Sequence, residues 1–152
     1  MTATGTPSPQ PSIHGSAVKV GERAILIRGA SGSGKSSLVF DLILAGRAGI
    51  VPHAVLVGDD RVRLINQDGN IMVLAVQELA GLIEIRGLGL RRCDFVTEAP
   101  VGLVVDLAAP DGARLPGPEA LRTVISGVEL PRIPVAAGHP ALPLVLAFLT
   151  TS

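Results

Sequence analysis

The chain has 152 residues, with 13 basic and 13 acidic side chains that cancel, 47% hydrophobic residues and 2% aromatic ones. That length suffices for one compact domain with its own core. Balanced charge without a basic block, and so few rings to stack on bases, argue against a nucleic-acid partner, and the single cysteine, Cys93, excludes an intrachain disulfide.

Residues 1–12, rich in Pro, Ser and Thr, cannot build a core and read as a disordered tail, leaving 13–152 as one domain. Apolar runs bounded by turn residues predict strands at Ala24 to Ile27, Ala54 to Val57, Val62 to Ile65, Ile71 to Val76, Ile83 to Ile85 and Val101 to Leu107. Between the first two, Ser37 to Ala45 carries Leu38, Val39, Leu42 and Ile43 at helical spacing and stops at Gly46, the expected cap. Asp68-Gly69 signals a hairpin. Leu103-Val104-Val105 suits a strand buried on both faces, and Pro118 to Ser126, opening with proline, predicts a second helix. Ala141 to Leu149 is apolar, but about half the ~18 to 20 residues needed to cross a bilayer, and Pro143 interrupts it. The expectation is an α/β domain, kinase-like around a phosphate loop, with a mixed, mostly parallel sheet flanked by helices, residing in the cytoplasm and off the membrane. Only 17% of residues are charged, against about 25% in ordinary domains, which favours a homo-oligomer or a protein partner.

Gly29-Ala30-Ser31-Gly32-Ser33-Gly34-Lys35-Ser36 meets the pattern G-x-x-x-x-G-K-[ST], between an apolar strand and an amphipathic helix. Glycines at this spacing turn backbone N–H groups inward, and the helix adds its positive end, so the loop is suited to the phosphates of ATP or a related nucleotide. Lys35 would reach the β- and γ-phosphates and the Ser36 hydroxyl would ligate Mg²⁺. Three acidic positions compete for the remaining roles. Asp59-Asp60 follows Val55-Leu56-Val57-Gly58 at a strand's C-terminal end, where ligand clefts of open α/β sheets form. Only one of the pair points into such a cleft unless the strand has already ended. Glu84 stands between apolar neighbours, and Asp106 ends a hydrophobic run as an Mg²⁺-supporting aspartate does. Spacing does not separate Asp106 from Asp59-Asp60. His53 and His139, beside prolines, read as surface side chains and no zinc site is expected.

In order, Ile13-His14-Gly15, the phosphate loop, Val57-Gly58-Asp59-Asp60-Arg61 and Ile83-Glu84-Ile85-Arg86-Gly87-Leu88-Gly89 resemble the catalytic domain of the HPr kinase/phosphorylase family across most of residues 13–138. Glu-Ile-Arg-Gly-Leu-Gly carries the resemblance most specifically. It implies transfer of phosphate from ATP to a serine of HPr, the phosphocarrier of the sugar phosphotransferase system, and phosphorolysis in reverse. It implies Lys35 as the phosphate-binding lysine, Ser36 and Glu84 as the Mg²⁺ residues, and Asp60, beside Asp59, as catalytic acid/base. His14 falls next to the reacting phosphate, Arg86 in the signature loop, and Arg114 in Ala113-Arg114-Leu115-Pro116 at the later catalytic arginine. Ser37, which completes the nucleotide-binding stretch, stands where the family often has an acidic residue. Other departures expected from the family pattern are the lack of its N-terminal domain, roughly seven extra residues around Ala48 to Ala54, His139 where an arginine is common, and the lack of its further C-terminal helices. A small-molecule kinase or ATPase and a non-catalytic nucleotide sensor are the alternative readings of the same loop.

Overall fold

The computed structural model describes residues 11–152; the expected tail falls outside the described residues except for Pro11 and Ser12. Strand β1 (Ile13–Val20) turns at Gly21 into β2 (Arg23–Arg28), which runs through the glycine-rich loop into helix α1 (Lys35–Arg47). Then come β3 (Ala54–Gly58), β4 (Arg61–Gln67), β5 (Asn70–Ala75), β6 (Leu82–Ile85), β7 (Gly89–Arg92) and β8 (Glu98–Asp106). One 3-10 turn (Gln77–Leu79) lies between β5 and β6 and another (Pro118–Leu121) precedes β9 (Arg122–Ile125), followed by β10 (Val128–Pro134) and α2 (Leu142–Thr150).

The result is a mixed α/β domain, but its sheet is mostly antiparallel. Among the named strands only β2 with β8 and β8 with β10 pair in parallel. The remaining pairings, β1 with β2, β3 and β4, β4 with β5, β5 with β8, β9 with β10 and β6 with β7, are antiparallel. β1 pairs with β4 through Ile13 and His14 and with β2 from Gly15 onward. Likewise β8 pairs with β5 near Glu98 to Pro100 and with β2 from Val101 to Asp106. These two changes of partner close β2, β1, β4, β5 and β8 into a ring, so that none of these five is an edge strand, while β3 and β9 remain at the edges. Burial on both faces arises here from the ring interior on one side and the helices on the other. β8 does have parallel neighbours on either side.

Two apolar clusters follow from this geometry. One lies between the sheet and the helices and contains Ile25, Ile27, Leu38, Val39, Leu42, Leu56, Leu103, Val105 and Val145. The other, with Ala17, Leu26, Val57, Val62, Ile71, Val73 and Val104, draws only on strand residues and on the strand-end positions beside them. Both helices therefore contribute to one cluster, and the second face of β2 and β8 is covered by β4 and β5 rather than by a helix. None of the described helices is long and apolar enough to cross a membrane.

Two further sequence expectations are corrected, and one expected strand is placed outside the main sheet. Helix α1 runs through Gly46; its cap is built one turn on, where Gly49 (φ 77°) bonds to the Gly46 carbonyl and Ile50 to that of Ala45. The expected helix from Pro118 to Ser126 is a 3-10 turn, Pro118–Leu121, and then strand β9. The alternating, β-branched Arg122-Thr123-Val124-Ile125 leads into Ser126-Gly127, both at positive φ (46° and 80°), a two-residue hairpin turn into β10. Finally, β6 pairs with β7 as a separate two-stranded arm outside the main sheet.

Candidate nucleotide-binding cleft

Beyond β2 the loop Gly29 to Gly34 leads directly into the start of α1. Gly34 takes the N-cap position at φ 105°, with no side-chain cap and no acidic residue in the first turn, so the positive helix end is left unneutralised. Gly29 has a steric reason: a Cβ there would lie 2.5 Å from the Ser33 hydroxyl, which is itself buried without a protein partner. The Lys35 side chain is 3% exposed, and its ammonium donates to the carbonyls of Gly29 (2.8 Å) and Ala30 (3.0 Å). The same ammonium lies 3.9 Å from the Asp60 carboxylate.

Strand β3 ends at Gly58, so both following aspartates lie past the pleat and both turn toward the loop. Asp59 is buried and accepts from the hydroxyls of Ser16 (2.8 Å) and Ser36 (2.7 and 2.8 Å) and from the Glu84 amide (3.0 Å). It thereby ties β1, α1 and β6 to the end of β3. Asp60 is half exposed and sits at φ 67°. A cleft of about 510 Å³ is lined by Ser31, Gly32, Gly34 to Ser37, Asp60 and, from the β6–β7 arm, Glu84 to Gly87 and Gly89. No ion pair engages Glu84 or Arg86 among the described residues, so both side chains are available to a ligand.

The remaining expected residues fall elsewhere. His14 is exposed and pairs in register with Arg61; it is coupled to Asp60 only through its neighbour Gly15, whose N–H donates to the Asp60 carbonyl (3.0 Å). Arg114 is exposed in the connection after β8 and does not line the cleft. Asp106 does not compete for a cation, because both its oxygens are taken by guanidinium groups. Arg28 donates at 2.6 and 2.8 Å and Arg132 at 2.6 Å, while Arg132 reaches on to Asp111 and the Ala120 carbonyl. Burial is the largest single influence and pushes the Asp106 carboxyl up, but the hydrogen bonds and charges of Arg28 and Arg132 outweigh it and hold the group below the ordinary value. Ser16 is the residue sequence reasoning missed; a polar side chain at an apolar stretch of β1 was the available signal.

A glycine loop feeding an uncapped helix end, with carboxylates and an arginine facing it across an open cleft, defines a domain built to receive a phosphate-bearing ligand. The chain belongs to the HPr serine kinase C-terminal domain family, whose model matches residues 6–96. It is 32% identical to the HPr kinase/phosphorylase of Mycoplasma mycoides, over 91% of this chain and 46% of that protein, and 34% identical to that of Geobacillus kaustophilus, over 87% and 44%. It thus spans about half the length of these relatives. The structure of the Hpr(Ser) kinase/phosphatase from Coxiella burnetii shares the fold, with a TM-score of 0.71 at 24% identity, covering 92% of this chain and 93% of that one.

Proposed function

We propose that this domain is an ATP-dependent serine kinase acting on HPr, with a kinase-type phosphate loop at Gly29 to Ser36. The observation that carries the reading is the convergence of Lys35, Ser36, Asp60, Glu84 and Arg86 on one open cleft. Relatives named HPr kinase/phosphorylase supply the acceptor and the reverse phosphorolysis. The openness of the cleft suits a protein substrate, and dependence on ATP suits the cytoplasm.

Lys35 and the N–H groups at the start of α1 hold the β- and γ-phosphates. As the HPr serine oxygen forms its bond to the γ-phosphorus, the bond to the ADP oxygen breaks and ADP leaves with its charge. Asp60 accepts the serine proton, and in the reverse direction returns it to the departing serine oxygen. Arg86, on the cleft wall, disperses charge on the transferred group, and Ser37 borders it. His14 is assigned a place beside the reacting phosphate, and Arg114 a supporting role that requires the loop after β8 to approach the cleft.

Mg²⁺ fits the donor set. No cluster of three His, Cys, Asp or Glu is found among the described residues, and Mg²⁺ is ordinarily held by one or two protein groups together with substrate phosphates. Ser36 and Glu84 would hold it, and it would neutralise charge building on the phosphates. Asp59 accepts the hydrogen bond that the Ser36 hydroxyl donates, which leaves the lone pairs of that hydroxyl free for the cation.

The test is intact-mass analysis of HPr after incubation with the protein, Mg²⁺ and ATP. The expected result is a gain of one phosphate on serine, lost with Lys35→Ala and Asp60→Asn. ATP consumption without modified HPr would instead indicate a small-molecule kinase or ATPase.

A further inference from the structure

Serine is an odd choice at position 16. Gly15, Ser16, Ala17 and Val18 are all buried in β1, and a buried hydroxyl is unfavourable unless its hydrogen-bonding capacity is met. Ser16 is 0% exposed and is met on both sides: it donates to Asp59 at 2.8 Å and accepts from the Asp60 amide at 2.9 Å. A hydroxyl has one proton, so once that proton is committed to Asp59 its lone pairs can only receive donors. The direction of both bonds is thereby fixed.

Asp60 needs such a fixture. It adopts φ 67°, in the left-handed region that residues with side chains take uncommonly, Asp more readily than most, on an exposed bend outside any strand. Its carbonyl is held by the Gly15 N–H and its amide by the Ser16 hydroxyl, so two adjacent residues of β1 grip the two sides of Asp60. The following Arg61 amide bonds back to the Asp59 carbonyl at 2.8 Å and tightens the bend.

We propose that Ser16 is a positioning residue for phosphoryl transfer: its hydroxyl holds Asp60 in the left-handed conformation that keeps the carboxylate beside Lys35 at the cleft. This rests on the reading of Asp60 as the acid/base group. Because the Ser16 side chain does not line the cleft, losing it should disturb the geometry of proton transfer and leave nucleotide binding intact.

The test compares wild type with Ser16→Ala and Ser16→Thr in two measurements on the whole chain. In the first, amide hydrogen exchange followed by NMR should show the Asp60 amide exchanging at least about tenfold faster in Ser16→Ala, with the amides of the β2–β8 pairing unchanged. In the second, phosphorylation of HPr should show kcat about tenfold to a hundredfold lower with KM for ATP within about twofold, and Ser16→Thr should restore kcat. Unchanged Asp60 exchange would overturn the proposal, as would a loss in which kcat, KM and thermal stability move together and threonine gives no rescue. If Ser16→Ala does not fold, Ser16→Cys keeps the shape with a slightly larger atom while weakening both hydrogen bonds and is judged by the same criteria. Should the wild type fail to phosphorylate HPr, the functional reading falls and the exchange measurement alone decides the role of Ser16.

Discussion

Asp59 and Asp106 stand at the C-terminal ends of two strands beside the same loop, each after an apolar run, and their surroundings differ in kind. Two guanidinium groups close around Asp106, so its charge is cancelled and both its oxygens are engaged. Asp59 receives only neutral donors, two hydroxyls and an amide, and no cation pairs with it among the described residues. It lies behind the cleft-lining Ser36, where such a carboxylate favours a cation at that hydroxyl. Strand position alone does not mark a functional carboxylate; the charge of its donors does. Asp106 is a clasp between strands, whereas Asp59 organises the loop, the arm and β1 around a site.

Asp59→Ala should produce the largest effect. It removes the acceptor of the Ser36 and Ser16 hydroxyls and of the Glu84 amide, so HPr phosphorylation should fall by about a hundredfold or more in steady-state assays. Some stability should go too, about 1–3 kcal/mol for the donors left unpaired. Stability loss with kcat retained in the folded fraction would make Asp59 a clasp of the same kind as Asp106.

Asp106→Asn should show the opposite pattern, with kcat per folded molecule within about twofold of wild type and stability lower by about 2 kcal/mol, since Arg28 loses its counter-charge and Arg132 keeps only the half-exposed Asp111. This figure is reduced for solvent screening because Arg28 is about a third exposed. The pH dependence sharpens the point. The Asp106 carboxyl titrates below its ordinary value when folded, so between the folded and unfolded pKa values the unfolded chain binds more protons and stability rises with pH. Its contribution is complete above the unfolded carboxylate pKa near ~3.9 and is lost as pH falls through the folded value. Urea unfolding across that acidic window should have a shallower pH slope in Asp106→Asn than in wild type.

Much of the site was legible because short motifs fix local geometry: strand, glycine loop, Lys35-Ser36 and helix follow from spacing alone, and Asp68-Gly69 does turn β4 into β5. What was not legible depends on contacts distant in sequence. Ser16 meets Asp59 across 43 residues and Arg28 meets Asp106 across 78, and neither residue carries a local signal of its partner. The closed ring was hidden for a related reason, since a strand that changes partner midway, as β1 does after His14, has the same apolar pattern as one that does not. Pro118 to Ser126 misled because a proline start and apolar spacing outweighed the β-branched Thr123-Val124-Ile125 and the Ser126-Gly127 turn.

The smallest effect should come from Asp111, at the outer end of the arginine clasp. Arg132 grips it through two nitrogens at 2.7 and 3.0 Å, and that hydrogen bonding holds the Asp111 carboxyl below its ordinary value. Two facts limit what the contact contributes. Asp111 is half exposed, so water competes for both partners, and Arg132 is already fixed by Asp106 and the Ala120 carbonyl, so it keeps a counter-charge without Asp111. Asp111→Ala should therefore melt close to wild type and leave kcat unchanged, well short of Asp106→Asn. A loss equal to that of Asp106→Asn, with no further loss in the double variant, would show that the clasp acts as one unit whose outer member is as necessary as its inner one.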